Sequence, residues 1–336
     1  MQALRIRQYG AVDSHAIETT KPATPGTGEV LIRNHAAGLN FPDALMLMGK
    51  YQKRPEPPFT PGRDCAGEIY AIGQHVEKFK IGDRVVAQVF TGAFAELVLA
   101  PVSRVFSLPE KVSYEDAAGA VTVFNTAYTT CVQRADVKPT ETVLITGAAG
   151  GVGLACIQLC KQLGATVVAA VSSEDKASLC KKNGADNILI YKGLDGKELK
   201  ELFRSQVRSV NNGHGANVVI DPLGGDFFTA GLRALAFRGR IVIVGFSSGA
   251  ISEVRGNYLL YNGLTVMGAP LDINFDLLPT EIRAGTTWWL ELLAQKHISA
   301  NVTETYPFDQ IGTALTRLLG RQARGKIVLD MSLNNR

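Results

Sequence analysis

Apolar and polar positions follow one pattern before residue 110 and another in the middle of the chain. In the first part, short apolar runs broken by glycine and proline predict β-strands at 29–40, 65–73, 83–89 and 93–100. The segment 53–62 contains four prolines, which excludes a regular helix or a central strand there. We therefore expect a compact, mostly β region with a rigid loop at 53–62.

After a predicted helical region at 113–132, apolar runs of strand length alternate with segments of helical periodicity. Strands are expected at 142–146, 166–171, 187–191, 217–225 and 239–248, with helices at 151–163, 174–183, 197–207 and 227–237. This alternation is typical of a doubly wound parallel sheet. The rest of the chain predicts a strand at 264–269, two helices and a final strand at 326–332.

Size, composition and charge narrow the class of protein. A chain of 336 residues usually forms two domains, and 46% apolar with 20% charged residues is typical of a globular protein with a large core. The net charge of +4 comes from scattered basic residues, so we expect no nucleic-acid partner. No apolar run is long enough to cross a bilayer, and the first ten residues lack the apolar core of a signal sequence. We expect a cytoplasmic protein with no membrane partner.

Five cysteines occur at 65, 131, 156, 160 and 180. Their number is odd and no pair has C-x-x-C spacing, which disfavours a disulfide framework or a structural zinc site. Cys156 and Cys160 share one face of a predicted helix, and we expect both to be core thiols.

A glycine cluster follows the first strand of the alternating region. Residues 148–153 read A-A-G-G-V-G, which fits the dinucleotide fingerprint as A-x-G-x-x-G. Gly150 would let backbone approach a pyrophosphate, Gly153 would let helix and strand pack closely, and the helix N-terminus near Gly151 would offer free N–H groups. Ala149 and Val152 belong to the same predicted cofactor-binding turn. The alternative is a glycine-rich turn needed only for packing.

The end of the next strand predicts which nicotinamide cofactor is used. A site for NAD would place Asp or Glu there, but this chain has Ser172 and Ser173, followed by Lys176. A hydroxyl and an ammonium would accept a 2′-phosphate, which favours NADPH. The alternative is that Ser172 or Ser173 only caps the next helix. Tyr191, after the third strand, would contact the adenosine phosphate or simply end that strand.

Five segments together resemble one family. Residues 38–51, 61–69, 82–86, 148–153 and 325–329 resemble the zinc-independent quinone oxidoreductase (zeta-crystallin-like) branch of the medium-chain dehydrogenase/reductase superfamily. The resemblance spans the whole chain. It implies an α/β fold in which a Rossmann doubly wound parallel sheet, at 121–263, is inserted in a GroES-like β-rich catalytic domain made of 1–120 and 264–336. It also implies NADPH as cofactor and a homodimer formed through the edge of the Rossmann sheet, near the strand at 264–269.

Zinc-dependent relatives carry a cysteine near the position of Asn40 and Gly-His-Glu where this chain has Gly62, Arg63 and Asp64. They also have a four-cysteine lobe that is missing here. The five histidines are dispersed and show no ligand spacing. We therefore expect no metal site and no oxidation of a zinc-bound alkoxide.

The resemblance also assigns site residues position by position. Asn40, Asp43 and Tyr51 resemble residues that line the nicotinamide and substrate side of the site. The expected cofactor contacts beyond the glycine turn are Thr126, Gly245, Phe246, Ser247, Gly268, Ala269 and, at the rim, Lys326. The alternatives are a packing aromatic for Tyr51, a turn former for Asn40 and a helix cap for Asp43.

The chemistry expected from these residues is hydride transfer. The cofactor supplies the reactivity, and donors such as the Tyr51 hydroxyl or the Asn40 amide would stabilise negative charge on the acceptor. The first hypothesis is an NADPH-dependent reductase of quinones or α,β-unsaturated carbonyls. The second is an enoyl-thioester reductase, and the third is a non-catalytic NADPH-binding protein with a structural or sensor role.

Overall fold

The computed structural model describes residues 1–320 and 322–331. They form two compact units, one of Met1–Thr122 with the described part of Leu278–Arg336, and one of Val123–Leu277. The chain therefore leaves the first unit once and later returns to it. The predicted last residue of the final strand, Ser332, lies outside the described residues.

The first unit begins with short strands and two helices. Their bounds are β1 Gln2–Arg5, β2 Ala16–Thr19, β3 Glu29–Gly38, α1 Phe41–Leu47, β4 Asp64–Ile72, β5 Arg84–Gln88, β6 Leu97–Pro101, β7 Val105–Ser107 and α2 Tyr114–Tyr128. Residues 53–62 contain no helix and only an isolated bridge between Phe59 and Ile6. The unit boundary falls within α2, which a short π-helix, Thr129–Arg134, then continues.

The second unit alternates strands and helices. Their bounds are β8 Thr142–Ile145, α3 Gly151–Gln162, β9 Thr166–Val171, α4 Glu174–Lys182, β10 Asn187–Ile190, α5 Gly196–Val210, β11 Ala216–Asp221, α6 Gly225–Ala234, β12 Leu235–Ile243, α7 Gly256–Asn262, β13 Thr265–Gly268 and α8 Leu271–Leu277. The chain then returns to the first unit with α9 Pro279–Ala294, β14 Val302–Pro307, α10 Ile311–Leu319 and β15 Lys326–Asp330. No helix among the described residues combines the length and apolar character that a membrane span requires.

The first unit is built on a sheet in the order β14-β15-β3-β4-β5-β7, with β6 also paired to β3. β3 pairs antiparallel with β15 at one end, where Ala37 lies opposite Leu329. This pairing joins the two ends of the chain in one sheet. Leu4, Met46 and Leu329 are among the buried side chains of the apolar core beside it.

The second unit contains a parallel sheet in the order β10-β9-β8-β11-β12-β13. β9 is buried at five of its six positions, as expected for a parallel strand covered on both faces. On α5, Leu199, Phe203 and Val207 recur every four residues and pack into the core. The predicted doubly wound sheet is confirmed.

Among the boundaries that differ from the sequence prediction, two are decided by strand pairing. The helix expected at 227–237 ends at Ala234, because Leu235 already pairs with Ala216 of β11. Gly215 permits this: a Cβ there would lie 2.4 Å from the Leu235 carbonyl carbon. Residues 264–277, expected in the catalytic domain, lie in the second unit because β13 pairs with β12. As expected, β13 is the edge strand of that sheet.

Candidate functional site

The glycine cluster lies at the carboxyl end of β8, where the chain turns into α3. Gly150 is the N-cap of α3, and its carbonyl accepts the N–H of Leu154 at 2.9 Å. The N–H groups of the first turn, Gly151, Val152 and Gly153, have no acceptor within a helix. Together with the helix dipole they form a site suited to an anion.

Gly150 and Gly153 lack side chains for different reasons. A Cβ at Gly153 would lie 2.6 Å from the Ala148 carbonyl oxygen and 2.7 Å from two further backbone atoms of Ala148, so the close packing of helix and strand requires glycine. A Cβ at Gly150 would meet nothing nearer than the Gly147 carbonyl oxygen at 3.4 Å. Packing alone explains Gly153 but not Gly150, whose small size leaves room for a ligand beside the turn.

Asp221, at the end of β11, joins this turn to the neighbouring strand. Its buried carboxylate accepts hydrogen bonds from the Thr146 hydroxyl at 2.5 Å and from the N–H groups of Leu223 and Gly224, each at 3.1 Å. Burial raises the pKa of Asp221, and the three hydrogen bonds oppose that shift. Asp221 is not among the residues predicted from the sequence, although an acid at the carboxyl end of a parallel strand was the signal for it.

Two further predicted cofactor segments lie at the same edge, because β8, β12 and β13 are parallel strands of one sheet, with β11 between β8 and β12. In the segment of Gly245, Phe246 and Ser247, the Ser247 backbone and hydroxyl both donate to the Pro222 carbonyl, at 3.1 and 2.9 Å. After β13, Ala269 N–H donates to Ile243 at 3.0 Å. These bonds hold both segments against the strand ends.

Three other residues of the second unit that were predicted to contact the cofactor each make a separate hydrogen bond or ring contact within the protein. The Gly268 carbonyl accepts from Arg134 Nε at 2.8 Å. Thr126, nearly buried on α2, accepts the Thr130 hydroxyl with its carbonyl at 2.7 Å. The Tyr191 ring packs edge-on against Phe227, with centroids 4.9 Å apart, which favours its interpretation as a residue that ends a strand.

Ser172 and Lys176 form a polar pair after β9. Lys176 Nζ donates to the Ser172 hydroxyl at 3.0 Å, and both side chains are half-buried. Ser173 is the N-cap of α4 by position, but its side chain makes no capping hydrogen bond. The alternative of a simple helix cap is therefore not supported, and the pair offers a hydroxyl and an ammonium at the strand end.

The first unit holds a second group of polar residues, which we call the buried polar cluster: Asn40, Asp43, Arg63, Asp64, Thr122 and Lys326. Asn40 is at its centre. Asn40 Nδ2 donates to Asp64 Oδ2 at 2.8 Å, and Asn40 Oδ1 accepts from Lys326 Nζ at 2.8 Å. Lys326 also donates to the Leu39 carbonyl at 2.7 Å, and Thr122 donates to Asp64 Oδ1 at 2.5 Å.

Strand and helix ends bring these residues together. Asn40 follows β3 and is the N-cap of α1, where its N–H donates to Asp43 Oδ2 at 2.7 Å. This bond supports the capping role considered for Asp43. Gly38 lets α2 lie against the end of β3, since a Cβ there would be 2.2 Å from the Ala118 carbonyl oxygen. One helical turn after Ala118, Thr122 reaches Asp64.

Burial dominates the electrostatics of the cluster. It raises the pKa of Asp43 to about 7, the nearby Asp64 charge adds to the shift, and Arg63 and Lys326 oppose it. Burial likewise raises the pKa of Asp64 and lowers that of Lys326, and the attraction between these two opposes both shifts. Buried ion groups contribute little to stability compared with apolar packing, and perturbed groups collected in one place are typical of functional sites.

Asn40, Asp43 and Lys326, three residues singled out from the sequence, thus meet in one cluster. Tyr51 is half-buried and packs against the apolar core that includes Leu47 and Phe59. In the sequence, Arg63 and Asp64 stand out only as departures from the family pattern, and Thr122 is not among the predicted residues. Nothing local marks Thr122, because its role depends on how α2 packs on β3.

Comparisons with known proteins give the family. The model of the alcohol dehydrogenase GroES-like domain matches residues 26–110, and the model described as zinc-binding dehydrogenase matches residues 151–272. Quinone oxidoreductase-like protein 2 of Bos taurus is 35% identical, over 94% of this chain and 88% of its own length. The chain belongs to the quinone oxidoreductase branch of the medium-chain dehydrogenase/reductase superfamily. The predicted Rossmann and GroES-like fold class is thereby confirmed.

Solved structures match nearly the whole chain. Escherichia coli quinone oxidoreductase, solved in complex with NADPH, has a TM-score of 0.88 and 28% identity, and the match covers 98% of this chain and all of the other. The CurK enoyl reductase has a TM-score of 0.86 and 25% identity over 98% of each chain.

The description of one matched family model implies zinc, which would need a suitable set of donor side chains. Zinc in proteins is held by thiolate, imidazole or carboxylate groups. In the buried polar cluster, Arg63 and Lys326 are cations, and Asp64 already accepts hydrogen bonds from Asn40 and Thr122. A dication would be repelled by the first pair and would find no free ligand set. The residues of the cluster do not fit zinc.

The cysteines do not fit a metal either. All five are free and buried, as predicted for Cys156 and Cys160. Cys160 Sγ lies 3.6 Å from Cys131 Sγ, and neighbouring thiols and burial raise the pKa of Cys131. Protonated thiols are poor ligands. Across residues 1–320 and 322–331, no group of three His, Cys, Asp or Glu side chains is arranged for a metal ion.

Proposed function

We propose that the protein is an NADPH-dependent reductase that transfers hydride to quinones or α,β-unsaturated carbonyl compounds without zinc. The observation that carries this proposal is the open turn at Gly150, which the protein's own packing does not require. The NADPH complex of the related Escherichia coli quinone oxidoreductase supports it.

The second unit supplies the groups that would hold NADPH. The pyrophosphate would bind the backbone of Ala149, Gly150, Gly151 and Val152 at the start of α3, where the helix dipole favours negative charge. The 2′-phosphate would bind the Ser172–Lys176 pair beside Ser173. The bound cofactor supplies a hydride.

The first unit supplies the groups that would act on the acceptor. When hydride reaches a quinone or an enone, negative charge grows on its oxygen. Asn40 keeps one Nδ2 hydrogen beyond the bond to Asp64, and such a donor can stabilise that charge. We assign Asn40, Asp43 and Tyr51 to this acceptor region.

An enoyl-thioester reductase is the second candidate, favoured by the likeness to the CurK enoyl reductase. Three exposed basic residues that follow α1, Lys50, Lys53 and Arg54, would suit the phosphates of a thioester carrier. Crotonyl-CoA as substrate distinguishes this activity from quinone reduction.

We also propose that the protein forms a homodimer through the edge of the parallel sheet. The edge strand β13 offers unpaired backbone groups, and Phe237, Leu260 and Tyr261 nearby in the same unit are 75%, 86% and 87% exposed. Leu260→Asp should convert the dimer to a monomer in light scattering. Ile81→Asp, at an exposed apolar residue of the first unit, is the matched control and should not.

The test of function is the oxidation of NADPH, followed by absorbance, with and without 9,10-phenanthrenequinone, and with NADH in parallel. Quinone-dependent loss of NADPH but not of NADH is the expected result. Turnover of crotonyl-CoA alone would replace the first candidate by the second. NADPH binding without turnover of either acceptor would contradict both and favour a structural or sensor role.

A further inference from the structure

Lys326 uses only two of the three N–H donors of its ammonium group in hydrogen bonds to described residues. An ammonium has three N–H donors, and the residues that the structure describes offer Lys326 two acceptors, the Leu39 carbonyl at 2.7 Å and Asn40 Oδ1 at 2.8 Å. The third hydrogen of the charged form therefore has no acceptor among these described residues. A buried donor without an acceptor is costly, unless a ligand uses it.

Burial lowers the pKa of Lys326, and the surrounding carboxylates favour the protonated amine. Lys326 on β15 faces Asp64 on β4 and Asp43 on α1, whose attraction opposes the effect of burial. Arg63, just before β4, acts on the same two aspartates. Asn40 turns its carbonyl toward the ammonium and its amide toward Asp64, and this orientation suits a charged lysine and an ionised aspartate.

All members of the cluster are buried, but not to the same degree. Both aspartates are fully buried, whereas Asn40 and Lys326 each keep 5% of their surface exposed. An acceptor that approaches from this side of the cluster would meet Lys326 and Asn40, with the aspartates behind them as a source of negative charge. A zinc ion would stabilise a developing oxyanion as a Lewis acid, but in this cluster the positive charge belongs to side chains.

We propose that Lys326 is a catalytic residue that stabilises the oxygen of the reduced acceptor and gives it a proton. This inference rests on the proposed reductase function and names the proton donor for it. The resemblance had placed Lys326 only at the rim of the cofactor site.

The step balances in atoms and electrons. The acceptor is reduced by the two electrons of the hydride, and NADPH is oxidised. The π electrons of the acceptor move onto its oxygen as the hydride arrives. The Nζ–H bond of Lys326 then breaks, its electron pair stays on nitrogen, and an O–H bond forms. The neutral amine regains a proton from water.

The first measurement needs no turnover. 4-Nitrophenol serves as a probe of the oxygen site, because its anion absorbs visible light and its ionisation can be titrated while bound. The wild type should lower the pKa of the bound phenol. K326M should abolish this shift, and K326R should keep it, since arginine retains the charge. K111M, at an exposed lysine of the same unit, is the control.

The second measurement separates charge from proton transfer. The kcat/KM of the wild type for 9,10-phenanthrenequinone should fall as pH rises, because Lys326 then loses its proton. Asp43 also titrates, so D43N is profiled in parallel. K326R, whose guanidinium stays protonated, should lose this fall and be slower by about 10²-fold or more. Unchanged NADPH binding identifies variants that fold. If K326M does not fold, the double variant K326M/D64N, which restores the charge balance, takes its place.

The outcomes of the two measurements are distinct. A 4-nitrophenol titration that is equal in wild type and K326M, or no binding of the phenol to the wild type, overturns the role of Lys326. So does a K326R rate and pH profile equal to wild type. If no acceptor is reduced by the wild type, the proposed function fails instead, and the phenol titration alone decides whether Lys326 holds an oxyanion.

Discussion

The buried polar cluster of the first unit and the glycine turn of the second hold polar groups in opposite ways. The cluster consists of charged and amide side chains that bind one another in the interior. The turn from Thr146 to Gly150 contains no charged side chain, and the N–H groups offered beside it belong to the first turn of α3, from Gly151 to Gly153. Fixed backbone dipoles suit a ligand whose charge is permanent, whereas titratable side chains suit a charge that appears only during a reaction.

The two regions should therefore fail in different ways. A cluster of mutually bound charges loses stability when one member is removed, because the remaining charge is buried without compensation. The turn depends on the space around its glycines, so its substitutions should separate stability from ligand binding. Four predictions test this contrast, from the largest expected effect to the smallest.

Removing Asp64 should have the largest effect. Asp64→Ala leaves Lys326 and Arg63 with excess positive charge in the interior, and we expect a loss of about 3–5 kcal/mol in the free energy of unfolding. Urea denaturation measures it. Lys138→Ala, which breaks the exposed pair with Asp136, should change little. A similar small effect for both variants would mean that the cluster is not a coupled network.

Asp43 should make stability depend on pH. Its pKa is about 7 in the folded protein against a usual value of 3.8, so the folded state binds more protons between these values. Stability should therefore be highest at low pH within this window and fall as pH rises through about 7, by up to about 4 kcal/mol.

The control for this prediction is Asp43→Asn, which keeps an acceptor for the Asn40 N–H but does not titrate. The difference in unfolding free energy between wild type and variant, measured from acid to neutral pH, isolates Asp43 from other groups. If the curves of unfolding free energy against pH are parallel for wild type and variant, the raised pKa of Asp43 is contradicted.

Two neighbouring substitutions in the glycine turn should have different effects, one on stability and the other on NADPH binding. Gly153→Ala forces a Cβ against the Ala148 backbone and should cost about 1–3 kcal/mol in stability. Gly150→Ala, at φ −75°, should leave thermal unfolding unchanged or slightly improved but weaken NADPH binding at least tenfold. Fluorescence quenching measures the binding. Unchanged NADPH affinity in Gly150→Ala would remove the argument that its space belongs to a ligand.

The smallest effect is expected at the end of β9. Ser172→Asp should weaken NADPH binding about tenfold, or about 1.4 kcal/mol, by repelling the 2′-phosphate, and should affect NADH less. Ser178→Asp, on an exposed position of α4, adds the same charge away from the strand end and is the control. If both cofactors respond equally to Ser172→Asp, the 2′-phosphate does not bind there.

Sequence reasoning was most accurate where local pattern and tertiary environment agree. β9 occupies the predicted residues 166–171, because a strand buried on both faces is a continuous apolar run. It was less accurate where a long-range strand pairing determines the secondary structure. Leu235 lies in a segment of helical periodicity, but it forms a strand because it pairs with β11. In the candidate site, the glycine turn was predicted from strand–turn–helix context, while Thr122 and Asp221 were not.

The sequence by itself determined the parallel sheet, the glycine turn and the hydroxyl and lysine after β9, since each depends on residues close together in the chain. Only the tertiary structure showed that Asn40, Asp64 and Lys326 form one hydrogen-bonded group. Lys326 is far from the other two in sequence, and it reaches them because β15 pairs with β3. Burial then shifts the pKa values of these groups, and burial is a property that a sequence acquires only on folding.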